Sequence, residues 1–233
     1  MSGILAVVGR GSRFADLVID ISNTVRPNIQ SMLNNAQWNG WARVKLVVNP
    51  SALVNTLNIP SLTFPSGIHL LIGSGALVGG YRAGGDAITT SVPISIENYG
   101  AIKGGGGLGG AGGAASVTRY GSSASALGGQ GGWGQGFGYY DLTVQYLTYG
   151  TDGQVEQVGD GTSFGPGDAG WAKAVGGRGG AGGAWRSAGY AGGSGGVGGT
   201  YESSRVSPGE PGQPAGKNVN GEQYVTWVVR GDA

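Results

Sequence analysis

The residues that could carry chemistry are few. His69 is the chain's only histidine and there is no cysteine, so Cys/His dyads and thiolate metal sites are impossible and a Ser-His-Asp arrangement has one candidate base. His69 lies inside the apolar run Ile68–Ile72, where a packed, hydrogen-bonded imidazole fits better than a catalytic base. Carboxylate pairs such as Glu97 with Asp141 would suit a hydrolase, but no local motif surrounds them. Gly104-x-Gly106-x-x-Gly109 formally matches a dinucleotide fingerprint. Any glycine run does so, and no acidic residue closes a βαβ unit at the required distance. Gly216-Lys217 is followed by Asn218 and lacks P-loop spacing. Asp152, Asp160 and Asp168 stand beside glycines. The calcium-binding nonapeptide pattern is absent, and turn-forming aspartates are the better reading. Arg230-Gly231-Asp232 spells an integrin tripeptide by coincidence. These residues imply no cofactor, no metal and no enzyme.

The chemistry must therefore be that of a surface, and composition bounds which kind. The chain has 53 glycines in 233 residues, a frequency that usually signals disorder. Here 39% of residues are apolar and only 12% charged, with 6 Trp and 10 Tyr; disordered chains show the reverse. A net charge of +1 without basic runs excludes the cationic face that nucleic-acid binding requires. The opening Met1–Gly9 has no early positive charge, and the apolar stretch from Ile68 to Val78 is broken by Gly and Ser. The expectation is a soluble chain without export signal or membrane insertion, made in a reducing cytoplasm.

The elements that must position this surface fall into two parts. Residues 1 to 99 read as an ordinary globular segment. Asn28–Gln37 predicts a short helix that stops near Asn39-Gly40, and Ala42–Val48 predicts a strand ended by Asn49-Pro50. Ile68–Ile72, Ala76–Val78 and Val92–Ile96 read as further strands, and Gln223–Val229 as a closing strand after the Asn220-Gly221 turn. Short strands between turns imply a small β-rich base. The division expected is 1–45 as an attachment segment, 46–99 as the base and 100–233 as a glycine-rich domain.

Within that domain Gly-Gly-X triplets recur, as in Gly109-Gly110-Ala111, Gly131-Gly132-Trp133, Gly179-Gly180-Ala181 and Gly195-Gly196-Val197. A polyproline-II-type helix has three residues per turn and no internal hydrogen bonds, so two bare faces can meet neighbours by backbone contact. The fold expected is mostly irregular and β, the base followed by a bundle of polyglycine-II helices with aromatic loops. A flexible linker is the alternative, but the segments between blocks are too rich in Tyr, Trp and Phe for one. Aromatic side chains at loop ends offer wide, stiff contact area for sugars or protein loops.

Three features carry a resemblance. The run Val92-Pro-Ile-Ser-Ile-Glu-Asn-Tyr-Gly-Ala-Ile-Lys-Gly-Gly-Gly-Gly107 resembles the junction of strand, Asn-x-Gly and polyglycine in phage tail-fibre tip proteins. Tyr224-Val-Thr-Trp-Val-Val-Arg-Gly231 is similar to the Tyr-x-Thr-Trp segment closing glycine-rich domains of phage central tail fibres. The alternation of glycine blocks with aromatic segments resembles the small adhesins that cap the long tail fibres of T-even-like phages. Over residues 45 to 233, that resemblance implies a virion protein, made in the host cytoplasm, that binds an outer-membrane protein or lipopolysaccharide. It implies framework blocks at Gly104–Gly113, Gly128–Gly132, Gly176–Gly183 and Gly192–Gly199. Recognition segments would be Ala114–Leu127, Trp133–Tyr140, Ser163–Trp171 and Ala184–Tyr190, with attachment to a tail-fibre protein through the N-terminal part, whose opening Ile4–Val8 and Trp38/Trp41 pair are apolar. The expected receptor-binding residues are Tyr120, Trp133, Phe137, Tyr139, Tyr140, Phe164, Trp171, Trp185, Arg186 and Tyr190. An extracellular or ice-binding structural protein is the rival reading. The mixed Leu, Gln, Trp, Arg, Ser and Val at the X positions argue against it.

Overall fold

The computed structural model describes residues 16–119, 121–158, 172–199 and 201–233. From its first strand the chain winds into a three-sided β-solenoid. The first coil runs β1 (Leu17–Ile21), β2 (Thr24–Val25) and α1 (Ile29–Asn35). The second and third coils run β3 (Val44–Val48), β4 (Leu53–Asn55), β5 (Leu57–Asn58), then β6 (Ile68–Ile72), β7 (Leu77–Gly79), β8 (Ile88–Thr89). A fourth begins with β9 (Ile94–Asn98) and β10 (Ala101–Lys103). Equivalent strands of successive coils pair in parallel, giving the sheets β1-β3-β6-β9 and β2-β4-β7-β10.

The alternation of each strand explains the coil. Ile19, Leu46, Leu70 and Ile96 occupy matched register positions in β1, β3, β6 and β9, and all four are fully buried. Their neighbours Asp20, Val47, Leu71 and Glu97 face outward. Stacking identical positions lets each coil bury its inner face on the next. Helix α1 takes the third side in the first coil, with Ile29 and Leu33 buried in the same core and Asn28 as its cap, accepting from Ser31 N–H at 2.9 Å.

At Lys103 the chain leaves the solenoid, and it returns only near residue 218. The intervening residues form short antiparallel sheets joined by extended glycine segments. In order these strands are β11 (Ala115–Arg119), β12 (Ser122–Ala126), β13 (Gly136–Phe137), β14 (Val144–Gln145), β15 (Val155–Val158), β16 (Ala172–Val175), β17 (Gly196–Gly199) and β18 (Ser203–Val206). They make the sheets β12-β11-β18, β13-β14 and β15-β16-β17. The solenoid then closes with β19 (Val219–Asn220) alongside β8 and β20 (Val225–Val229) alongside β9. Residues 104–218 are thus an insertion into the fourth coil.

This architecture corrects the expected fold class. The chain is a β protein organised by a solenoid of about three turns, with one α-helix among the described residues, and no bundle of polyglycine-II helices is indicated. The Gly-Gly-X period reports where Cβ atoms are missing, which is a weaker statement than a helix period. The glycines serve backbone-to-backbone approach between extended segments. A Cβ on Gly109 would stand 2.0 Å from the Gly180 carbonyl oxygen, and one on Gly110 would stand 1.9 Å from that of Glu210. The same segments exchange N–H···O bonds, Gly109 N–H to Gly132 at 2.9 Å and Gly180 N–H to Gly110 at 2.8 Å.

Candidate functional site

The insertion has two ends. The segment 104–113 carries the chain from β10 at the solenoid to the hairpin β11–β12 at the far end. The β13–β14 loop and the turn at Trp185-Arg186 lie against the solenoid. The expected recognition segments therefore divide. Ala114–Leu127 is the far hairpin, whereas Trp133–Tyr140 and the start of Ala184–Tyr190 lie at the junction. Tyr120, Phe164 and Trp171 lie outside the described residues, as do Ile4–Val8, Asp160 and Asp168.

Phe137 is the anchor of the junction. It is fully buried, pairs its strand with β14 and donates its N–H to Gly80 O at 3.1 Å. Its ring meets Trp185 edge-on at 5.8 Å. Both rings press on Gly79, where a Cβ would come within 2.6 Å of Phe137 and 2.9 Å of Trp185. The loop that follows is pinned by Asn55, itself fully buried, whose Nδ2 donates to the carbonyls of Gly138 at 2.7 Å and Asp141 at 3.1 Å.

This pinning presents Tyr139 and Tyr140. Their rings pack edge-on at 4.5 Å, and Tyr139 packs edge-on against Tyr81 at 5.3 Å. The Arg26 guanidinium stacks over Tyr139 at 3.8 Å and over Tyr81 at 5.3 Å. A second pair sets Arg82 over Trp133 at 4.5 Å. Tyr140 is 83% exposed, Tyr190 68%, and Trp133 and Tyr139 47% each. Arg186 is held by the chain's end. It donates to Asp232 at 2.6 Å, and Lys103 completes the contact at 3.2 Å. The Arg186 hydrogen bond, aided by Lys103, holds the Asp232 carboxyl below its ordinary range.

Sequence reasoning missed Arg26, Tyr81 and Arg82 because they belong to the solenoid. A signal existed: Tyr81-Arg82 is flanked by Gly79-Gly80 and Gly84-Gly85, the same setting as the aromatic segments chosen. Tyr146 and Tyr149, 78% and 75% exposed, are further aromatics of the insertion outside the expected receptor-binding set.

The outer face of the solenoid holds the other polar cluster. His69 Nδ1 lies 2.8 Å from Ser95 Oγ, and its Nε2 lies 3.3 Å from Glu97 Oε2. Tyr99 donates its hydroxyl to Glu97 at 2.5 Å, which lowers the Glu97 pKa and raises that of Tyr99. The order Ser-His-Glu resembles a nucleophilic triad on the outward side of the sheet, with His69 itself buried. Strand β9, which carries Ser95 and Glu97, pairs on both sides with β6 and β20, so its N–H groups are committed to the ladder and offer no oxyanion donors. Among the described residues no group of three His, Asp or Glu could hold a metal ion.

A model of the phage tail fibre adhesin Gp38 family matches residues 16–233. The chain belongs to this family. It is a receptor-binding adhesin of a phage tail fibre and so a component of the virion. Among solved structures, the gp37-gp38 adhesin tip complex of the bacteriophage S16 long tail fibre aligns with 92% of this chain and 79% of that one, at 19% identity and a TM-score of 0.47. Comparison with curated proteins gives no match.

Proposed function

We propose that this adhesin grips an outer-membrane protein or lipopolysaccharide of its host through the aromatic side chains of residues 100–233, while residues 1–45 join it to a tail-fibre protein and 46–99 form the base between them. The observation that carries the reading is the set of exposed rings Trp133, Tyr139, Tyr140 and Tyr190, held on a framework whose backbone has little freedom to move. Stiff aromatic side chains bind with little loss of rotamer entropy, and hot spots favour Trp, Tyr and Arg. Tyr120, Phe164 and Trp171 belong to the same proposal from sequence. Phe137, Trp185 and Arg186 act in it by holding the junction. Binding is the whole activity in this reading, with no catalytic step, and the chain is made in the host cytoplasm before assembly.

Adsorption of the purified protein to host cells tests it. Tyr140→Ala and Tyr190→Ala should each weaken adsorption by ≥ 2 kcal/mol, roughly thirtyfold, with the melting temperature unchanged. Normal adsorption by both variants would place the receptor surface elsewhere. For the fibre end, Trp41 is 69% exposed while Trp38 packs on Phe64 at 5.1 Å. Deleting residues 1–12 should stop incorporation into virions, and normal incorporation of the truncated chain would refute the attachment reading.

A further inference from the structure

We propose that Arg26, Tyr81, Tyr139 and Tyr140 form a subsite for an anionic sugar, one bearing a phosphate or carboxylate group. The inference rests on the receptor-binding reading above and names a ligand class for one part of that surface. Three observations carry it. Arg26 as a residue is half-buried and, among the described residues, its guanidinium makes no ion pair and no side-chain hydrogen bond. A guanidinium has five N–H donors, and one held out of bulk water without a carboxylate is electrostatically incomplete. The carboxylate of the tyrosine loop, Asp141, makes no ion pair with it, and its Oδ1 accepts from Thr143 N–H at 2.9 Å. Arg26 instead lies on the rings of Tyr139 and Tyr81, 3.8 and 5.3 Å from their centroids, which fixes its plane and leaves its edge for bidentate contact with an oxyanion.

The second observation is preorganisation. Arg26 has φ 47° and Thr56, at the same corner of the next coil, has φ 57°. The solenoid corner sets the Arg26 backbone, and Asn55 from that corner clamps the loop bearing the tyrosines. Cation and rings are therefore in place before any ligand arrives. The third is footprint and exposure. Tyr140 stands edge-on to Tyr139 and 83% exposed, a free ring face beside a free charge. Four side chains match one or two sugar rings, whereas a protein interface takes about 800 Å² from each partner. A sugar would stack on Tyr140 and turn its anionic group to Arg26.

The test titrates the full chain with glucose 6-phosphate, glucuronate, glucose and inorganic phosphate. Both charged sugars should bind at least tenfold more tightly than glucose and than phosphate alone. Arg26→Gln should erase the preference for charge, Tyr140→Ala should weaken every sugar, and Arg178→Gln, whose partner is the exposed Asp152, should change nothing. Equal binding of glucose, or charged-sugar binding unaffected by Arg26→Gln, overturns the proposal. Phosphate binding as tight as the sugar phosphate reduces the site to an adventitious ion only. If Arg26→Gln fails to fold, Tyr140→Ala decides, because that exposed side chain supports no core. Binding of sugar-free host outer-membrane protein that Arg26→Gln abolishes, with no sugar bound, would replace the glycan by an acidic protein loop. Wild-type adsorption to host cells separates the two levels: adsorption that Arg26→Gln leaves intact sinks only this subsite, while a wild type that does not adsorb sinks the receptor reading.

Discussion

The solenoid and its insertion solve opposite packing problems. In the solenoid, side chains meet: Ile19, Leu46, Leu70 and Ile96 stack coil upon coil, and the backbone is satisfied within parallel sheets. In the insertion, backbones meet. Gly106 sits where a Cβ would be 2.0 Å from Gly183 O, and Gly131 where one would be 1.8 Å from Gly109 O. The first solution tolerates exchange among apolar residues of similar volume. The second tolerates almost no side chain at the contact positions and leaves the X positions free to vary. A surface that must present different residues to different receptors is well served by a core that uses none of them.

The strongest way to break this contrast is at the junction, where one large side chain joins the two regions. Phe137→Ala removes a fully buried ring packed on Gly79 and Trp185. It should cost about 3–5 kcal/mol. Denaturant melts followed by tryptophan fluorescence would measure it. A loss under about 1 kcal/mol would mean that Asn55 and the glycine segments hold the insertion without Phe137.

Glycine contacts give the next largest effect and test the contrast directly. Gly110→Val should destabilise the protein by roughly 3 kcal/mol, because the new side chain collides with the Glu210 carbonyl and separates hydrogen-bonded segments. Gly196 meets nothing within 4 Å of its Cβ position, so Gly196→Ala should stay within about 0.5 kcal/mol. Thermal melts, at ~2–4 °C per kcal/mol for a chain of this size, distinguish them. Similar midpoints for the two variants would show that the segments are loosely packed.

How much of this was legible follows from the same contrast. The regular strands Val44–Val48, Ile68–Ile72 and Val225–Val229, and helix Ile29–Asn35, announce themselves by alternation, caps and turns. Their assembly into a solenoid does not. The evidence for it is the recurrence of strand starts at residues 17, 44, 68 and 94, a period that needs the whole N-terminal part compared with itself. The glycine triplets were visible, but their period says only which residues lack Cβ atoms. Neither the partner segments nor the β architecture around them follows from it. For the candidate site, the rings of Trp133, Tyr139 and Tyr140 stood out by type. Arg26 and Tyr81 are far away in sequence, and only the solenoid corner brings them to the loop. Exposure was equally hidden: Phe137 and Tyr139 are two residues apart, one buried and one at the surface, because β13 ends at Phe137 and Tyr139 lies in the loop beyond it.

A smaller effect sharpens the role of the closing segment. Asp232 joins Arg186 of the insertion to Lys103 at the end of β10, where the chain leaves the solenoid. With its carboxyl held below the ordinary range by these cations, the stability it adds is present above the unfolded pKa and lost as pH falls through the folded one. The pair is about half exposed, so screening limits it: Asp232→Asn should cost under about 1 kcal/mol at pH 7. That cost should disappear in acid, where both proteins carry a neutral side chain. Urea melts of the two at pH 7 and below pH 3 check this, and a cost that persists in acid would assign the effect to packing.

The smallest effect lies on the outer solenoid face and is spectroscopic. Tyr99 donates to Glu97, which His69 also approaches, and this hydrogen bond raises the Tyr99 pKa above its ordinary value of 10.0. The raised value means that the folded state holds the neutral phenol more tightly than the unfolded chain does. The contribution is complete below the unfolded pKa and fades as pH rises through the folded one. Tyr99 is 54% exposed, so the midpoint of its phenolate absorbance can be followed without unfolding, as a difference between wild type and Tyr99→Phe. In Glu97→Gln the acceptor's charge is gone, and the midpoint should fall back toward that of an ordinary tyrosine, with the thermal midpoint at pH 7 nearly unchanged. A titration indifferent to Glu97→Gln would show the contact to be open in solution. The Ser95-His69-Glu97 array would then stand as a packed His–Ser pair beside a solvated carboxylate. A titration that shifts as described, without a change in melting, would confine this polar cluster to the solenoid's outer surface and leave the stability of both regions to side-chain stacking in one and backbone contact in the other.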